Sequence, residues 1–398
     1  MVTQSHTQGG LIRLAAISGS FCLPDQLLFF PTRPKRCFLA LRSHKGQLHS
    51  IAFLNCFTLS KSYVCHEHFG ISDMGLDIFE EIPRIPLAQL PTPLEQVTIR
   101  GFDILIKRDD LTGCVTSGNK IRKMEFLVAD ARERNATTLV TFGAVQSNHA
   151  RTVAAVAAKL GFKCELYLWS DSGSPSGGNF FLSRLFGAEV HVLPKTDYDV
   201  LYRQMLSEEH EGKYVIPEGG SNGFGVLAYA LAVSEIKEQL PKFHRSIDVI
   251  VTAAGTGGTG AGLLLGAKLF DVRAQVAVVN VLYPRPEILH RVRVLLEQAS
   301  AQFSLPVRVD WERDLLILDG YSREGYTNIA PMKAKFIIDM AQEHGLVLDP
   351  IYTGKALYGL TREMRRGGLL EGARPLFVHT GGIFGLFAKQ QEFERSLR

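Results

Sequence analysis

A chain of 398 residues with 46% hydrophobic side chains, 37 glycines and 17 prolines can bury one large or two ordinary cores, which excludes a disordered chain, a collagen and a coiled coil. Forty-four Lys and Arg against 40 Asp and Glu leave a formal charge of +4, small for this size, so neither a nucleic acid nor an anionic membrane is expected as a partner. No apolar run reaches the roughly 18 residues that a membrane-spanning helix requires.

Residues 1–73 differ from the rest. They hold seven basic residues (Arg13, Arg33, Lys35, Arg36, Arg42, Lys45, Lys61) and three acidic ones (Asp25, Glu67, Asp73), so the whole net charge resides there, with Cys22, Cys37, Cys56 and Cys65. Few acids and abundant Arg, Ser and Phe suit a mitochondrial or plastid targeting peptide. Two other readings stand beside it: an accessory extension, and a disordered tail or mis-assigned start ahead of a self-sufficient chain opening at Met74. A cytoplasmic location is expected unless the segment is a targeting peptide. Cys65-His66-Glu67-His68 has zinc-ligand chemistry, but adjacent residues on an extended chain point to opposite faces and no CxxC or HExxH spacing supports them, so no metal is expected. Only Cys114 and Cys164 follow, which fits a reducing compartment better than a disulfide framework.

After a proline-rich lead (Pro83, Pro86, Pro91, Pro93), short apolar runs alternate with longer helical ones. In chain order the pattern predicts strand 103–107, helix 121–133, strand 138–142, helix 148–160, strand 164–168, helix 179–186, strand 189–193 and helix 227–239. Strand 248–253, helix 261–270, strand 275–282, helix 331–344 and strand 376–379 follow. Strands alternating with helices of this length imply an α/β fold with parallel sheets covered on both faces. Ligands in such folds gather beyond the carboxyl ends of strands, which directs attention to the loops after Phe142, Ala253 and His379.

Three segments carry chemistry. Val249 to Leu265 reads as a strand, a glycine-rich turn (Gly255-Thr256-Gly257-Gly258-Thr259-Gly260) and a helix start, where converging N–H groups and the helix dipole suit a phosphate. The spacing also satisfies G-x-G-x-x-G, yet the next strand runs Val278-Val279-Asn280 where a dinucleotide site needs an acid for the ribose, so a nicotinamide oxidoreductase is disfavoured. A purely structural glycine turn stays open. Upstream, Ser117-Gly118-Asn119-Lys120 opens a helix with a cation that the dipole opposes. A lysine joined to an aldehyde as a Schiff base would explain it; an exposed basic turn of Lys120, Arg122 and Lys123 is the bland reading. In the third, Gln146-Ser147-Asn148-His149 delivers hydroxyl, amide and imidazole groups to another helix start, suited to a substrate carboxylate or to simple N-capping.

Together with Lys107-Arg108-Asp109-Asp110, Pro217-Glu-Gly-Gly-Ser-Asn222, Leu348-Asp-Pro-Ile-Tyr352-Thr353-Gly354-Lys355 and Phe377-Val-His-Thr380-Gly-Gly382, these elements resemble, in order over about residues 76 to 390, the pyridoxal-phosphate enzymes of the tryptophan-synthase β-like group, fold type II. The branch that they resemble holds D-cysteine desulfhydrase and 1-aminocyclopropane-1-carboxylate deaminase. The resemblance implies pyridoxal 5'-phosphate as cofactor, with Lys120 as the Schiff-base lysine and the base at Cα. Asn148 would bond the pyridine hydroxyl, the backbone of Gly255, Thr256, Gly257, Gly258 and Thr259 would bind the phosphate, and Thr380 and Thr353 would lie near the ring nitrogen. Ser147 and His149 would meet a small amino-acid substrate, faced by Tyr326 and Tyr352. The cyclopropane deaminases resemble Tyr-Glu where this chain has Tyr352-Thr353. A carboxylate there keeps the ring nitrogen protonated and maximises the ring's electron withdrawal, which a neutral hydroxyl does less strongly, so loss of thiolate, a good leaving group, is favoured over ring opening. Ser117 before Gly118, and Thr327-Asn328 after Tyr326, depart from the glycines usual in the pattern. Also implied are a homodimer, a smaller α/β lobe at 124–230 and a larger one from 75–123 with 231–398. A cofactor-binding protein without turnover is the remaining rival.

Overall fold

A computed structural model of the protein describes residues 27–33, 36–42 and 48–55 as backbone strands, and residues 79–170 and 176–397. The chain divides into two units, Met1–His68 and Phe69–Arg398. In the first, β1 (Leu27–Arg33), β2 (Arg36–Arg42) and β3 (Leu48–Asn55) form an antiparallel sheet, with Leu28 opposite Ala40 and Phe38 opposite Phe53. Residues 65–68, with the metal-ligand chemistry, lie outside the described residues.

The second unit begins with β4 (Leu94–Ile99), β5 (Phe102–Lys107), α1 (Lys120–Glu133), β6 (Thr138–Ala144), α2 (Asn148–Leu160), β7 (Lys163–Trp169), α3 (Gly178–Leu185) and β8 (Glu189–Leu193). It continues through α4 (Lys195–Ser207), β9 (Lys213–Ile216), α5 (Gly223–Gln239), β10 (Val249–Ala254), α6 (Gly258–Leu269), β11 (Gln275–Asn280) and α7 (Arg285–Gln302). Last come β12 (Leu315–Leu318), α8 (Pro331–His344), α9 (Thr353–Glu363), β13 (Pro375–Val378), α10 (Ile383–Phe387) and α11 (Gln390–Leu397). The predicted elements are all present, with ends shifted by at most four residues. The sequence pattern missed α4, α7, α9, α10 and α11, together with strands β4, β9 and β12.

Two sheets result. Strands β8, β7, β6 and β9 lie side by side, all parallel. The larger sheet has the order β12, β11, β10, β13, β5, β4 and is parallel except at its β4 edge, which runs against β5. All six residues of β10 (VIVTAA) are buried, as are the first six of β6, because helices cover both faces of a parallel sheet and leave no strand face for water.

Helix α1 touches both cores. Its Phe126 packs with α5, α6 and the larger sheet, while Ile121, Met124, Leu127 and Val128 join α2, β6 and β7. Every residue from Ile121 to Ala131 is buried, and the exposed basic turn is thereby overturned: Arg122 is 2% and Lys123 1% exposed. Among the described residues no helix is long and apolar enough to cross a membrane.

Candidate active site

The carboxyl ends of β6, β10 and β13 open on one cavity of about 200 Å³. Its wall includes Lys120, Ser147, Asn148, His149, Gly255, Thr256, Gly257, Gly258, Thr259, Tyr326, Tyr352 and Thr380, which is every residue nominated from the sequence except Thr353.

Lys120 is the first residue of α1, and its amine reaches the glycine turn. A Cβ placed on Gly219, whose φ of +67° favours glycine, would lie 3.6 Å from the Lys120 Nζ and 2.7 Å from the Thr256 Oγ1, so the two elements meet across that one point. Burial pushes the Lys120 pKa down to about 8, with no anion beside it to offset the loss of water. An amine so placed is partly neutral near neutral pH and available as a nucleophile.

The turn after β10 forms a cradle. Gly257 has φ +92°, a left-handed backbone open to glycine, and a Cβ on Gly258 would fall 2.6 Å from the Ser221 Oγ and 2.9 Å from the Lys123 Nζ. The missing Cβ lets the Ser221 hydroxyl and the Lys123 amine come close to the N-terminus of α6. Thr259 accepts the Asn119 amide at 3.0 Å, and the Ser221 and Thr256 hydroxyls are 2.7 Å apart. Lys123 donates to the Gly219 carbonyl at 3.0 Å, and burial, then the nearby charge of Lys120, holds its pKa well below the usual lysine range. A buried lysine with no carboxylate partner, beside the N-terminus of α6, suits a phosphate, whose charge would restore its proton.

At the end of β6, Ser147 does cap α2: its Oγ accepts the Ala150 N–H at 3.1 Å. Capping leaves its own O–H free to donate into the cavity, so the two readings of this serine coexist. Asn148 accepts the Asn179 amide at 2.9 Å, which fixes its orientation. The His149 Nε2 lies 3.0 Å from the Thr141 hydroxyl, its Nδ1 is buried without a partner, and burial followed by the charges of Lys120 and Lys123 keeps the imidazole neutral.

Tyr326 and Tyr352 meet hydroxyl to hydroxyl, and the Tyr352 ring stands against Gly255. Lys355, one turn into α9, donates to the Gly325 and Tyr326 carbonyls at 2.8 and 3.1 Å and so anchors the loop that carries Tyr326. Thr353 is placed differently from the expectation. Its hydroxyl donates to the Asp349 carboxylate at 2.7 Å and accepts the Asp349 N–H at 2.8 Å, so both of its functions are spent behind the cavity wall and Thr380 is left as the threonine facing the space.

Asn119, Phe142, Trp169, Lys195, Glu218 and Tyr283 also line the cavity and were not nominated. They arrive from six separate places in the chain, and only Asn119 and Glu218 lay inside a recognised motif. Asn280, where an acid was sought, closes a turn on the Tyr283 carbonyl at 2.5 Å.

The donor set fits pyridoxal phosphate: a partly neutral amine for the aldehyde, an oriented amide beside it, and a cationic, N–H-lined cradle for the phosphate. The sequence matches the family "Pyridoxal-phosphate dependent enzyme" over residues 79–381. A bifunctional mitochondrial D-cysteine desulfhydrase/1-aminocyclopropane-1-carboxylate deaminase of Arabidopsis thaliana is 37% identical over 323 residues, 76% of this chain and 79% of that protein. A D-cysteine desulfhydrase of Klebsiella pneumoniae is 38% identical over 329 residues, 79% of this chain and 98% of that protein. The crystal structure of an ACC deaminase homologue superposes with a TM-score of 0.70 at 33% identity, covering 81% of this chain and 98% of the other. Matched through both sheets and the cavity between their strand ends, the chain belongs to the pyridoxal-phosphate dependent enzyme family, and its cofactor is pyridoxal phosphate.

Proposed function

We propose that the protein is a carbon–sulfur lyase converting D-cysteine and water to pyruvate, hydrogen sulfide and ammonia. The observation that carries this is the neutral end of the site. Thr380 and Tyr352 line it, Thr353 is turned onto Asp349, and the Asp349 carboxylate is consumed by the N–H groups of Ile351, Tyr352 and Thr353. A site without a free carboxylate there suits an easy leaving group such as thiolate better than a strained ring.

Lys120 would hold the aldehyde, Asn148 the ring hydroxyl, Thr380 the ring-nitrogen edge, and residues 255–259 with Lys123 the phosphate. When bound, the cofactor withdraws electrons from the substrate Cα and acidifies its hydrogen. The Lys120 amine, released by the incoming substrate and kept near neutrality by burial, takes the Cα proton. Ser147 and the α2 N-terminus hold the substrate carboxylate, with His149 beside it. Tyr326 and Tyr352 stay protonated, since burial raises both phenols, and they present the proton that the departing sulfur takes up.

Deamination of 1-aminocyclopropane-1-carboxylate is the second reading, supported by the relatives named for it. An ultraviolet–visible spectrum followed by titration with D- and L-cysteine tests the first. Sulfide release from D-cysteine exceeding 2-oxobutanoate release from the cyclopropane substrate is the expected result; the reverse order would replace the first reading with the second. The same reading makes the protein a homodimer whose 124–230 lobe closes over substrate, testable by sedimentation equilibrium with and without ligand. For residues 1–73, mass spectrometry of the native N-terminus distinguishes a cleaved targeting peptide, as the mitochondrial Arabidopsis relative would suggest, from a retained extension or a start at Met74.

A further inference from the structure

The cavity carries a carboxylate that the lyase chemistry does not use. Glu218, in the turn between β9 and α5 and next to Gly219, is the single acidic residue among those lining the cavity. Its side chain accepts the Tyr198 hydroxyl, and its N–H donates to the Tyr202 Oη at 3.2 Å. The lining cations do not neutralise it. Lys195 is bonded to Asp199 at 2.6 Å, with its Nζ over the rings of Trp169 and Tyr198, and Lys120 is taken by the cofactor. The rings of Phe142, Trp169 and Tyr283 line the same cavity. Burial, and after it the charge of Glu218, pushes the Tyr283 phenol up to about 12, against the Arg291 guanidinium 3.9 Å over its ring.

An anion beside aromatic rings is the recognition chemistry of an organic cation, as Lys195 over Trp169 and Arg291 over Tyr283 illustrate in the same wall. A bare thiolate forming near Glu218 is repelled by it, whereas a thiolate that carries its own ammonium is neutral overall. We propose that Glu218, oriented by Tyr198 and walled by Phe142, Trp169 and Tyr283, is a specificity subsite for a cationic group on the leaving side of the substrate. The favoured substrates are then β-thio-substituted alanines whose sulfur substituent ends in an ammonium. The proposal rests on the lyase reading. In the reaction the Cα–H and Cβ–S bonds break, the sulfur leaves with the bonding pair and gains a proton, and water completes the three-carbon remainder to pyruvate and ammonia. From S-(2-aminoethyl)cysteine the sulfur product is 2-aminoethanethiol.

The test compares S-(2-aminoethyl)cysteine with its neutral isostere S-propylcysteine and with S-carboxymethylcysteine in the holoenzyme, by pyruvate release and by the spectral titration, which reads binding without turnover. The cationic compound should exceed the neutral one by about tenfold in kcat/KM and in affinity, with the anionic one lowest. Glu218→Gln keeps an acceptor for Tyr198 but loses the charge, and should bring the first two to within about twofold. The readout is a ratio within each protein, so any general loss of activity cancels. Should Glu218→Gln not fold, the preference of the wild type should shrink as ionic strength rises. Equal values in the wild type, a preference that survives in Glu218→Gln, or in its absence a preference indifferent to salt, would overturn the subsite. Sulfide release from D-cysteine in the same preparation separates the two ideas. Release with no charge preference removes only the subsite; a charge preference without release removes only D-cysteine as the substrate.

Discussion

Three cations leave helix α1 within four residues and meet opposite fates. Arg122 enters a closed set of charges: it grips Asp109 with two N–H groups at 2.9 and 2.8 Å and Glu235 at 2.6 Å, and Lys107 completes the set on Glu235 at 2.8 Å. Thr92 and Tyr229 donate to Asp109 as well. Burial alone would raise the Asp109 carboxyl, yet Arg122 and Lys107 hold it below the usual range. Lys120 and Lys123, on the other side of the same helix, have no anion, and burial lowers both. Two cations balance two carboxylates in the first region, whereas the second is short of negative charge. The lesson is that one region is complete in the polypeptide and the other is completed by an anionic ligand.

The predictions set these regions against each other. Lys120→Ala should remove the visible absorbance of the lysine-bound cofactor and cut lyase turnover by about a thousandfold or more, without lowering the apoprotein's stability as a broken ion pair would. Retention of both absorbance and turnover would sink the assignment. Arg122→Met should do the converse. It strands the Asp109 charge in the core and lowers the apoprotein's unfolding free energy by about 3–5 kcal/mol, measured in urea. Adding Asp109→Leu should return part of that loss, because the stranded charge goes too. Lys123→Met falls between: cofactor affinity should drop by about tenfold, with no loss of apoprotein stability, since the removed amine is one that burial disfavours. A large stability loss in Lys123→Met would mean that it belongs with the closed charges and not with the ligand.

This contrast was only half legible in the sequence. The glycine turn, the helix-opening Lys120 and the Gln146–His149 run were readable because each is local: a strand end, a turn and a helix start within a dozen residues. Arg122 and Lys123 were misread because spacing alone cannot tell a helix on a surface from one wedged between two cores. Thr353 was misplaced for a related reason, since its partner Asp349 sits just four residues earlier but competes with the cavity for the same hydroxyl. Glu218, Trp169, Lys195 and Tyr283 share a wall only after β7, β9, β11 and α4 have taken their places, and no periodicity reports that.

A pH dependence should also separate the two regions. In the apoprotein the Lys120 amine titrates at about 8, below the 10.5 of an unhindered lysine. Below about 8 it is charged in both folded and unfolded chains, so the full cost of burying that charge is present. Between about 8 and 10.5 the folded amine is neutral while the unfolded one still holds its proton, so the unfolded chain binds more protons and stability rises with pH. The deficit of the wild type relative to Lys120→Met should therefore be widest near pH 7 and close towards pH 10, in urea titrations of both apoproteins. Arg122 stays charged in both states throughout that window, and the loss caused by Arg122→Met should be flat across it. A wild-type deficit equally flat from pH 7 to 10 would mean that the Lys120 amine does not change charge there, and the account of it as a nearly neutral nucleophile would fail.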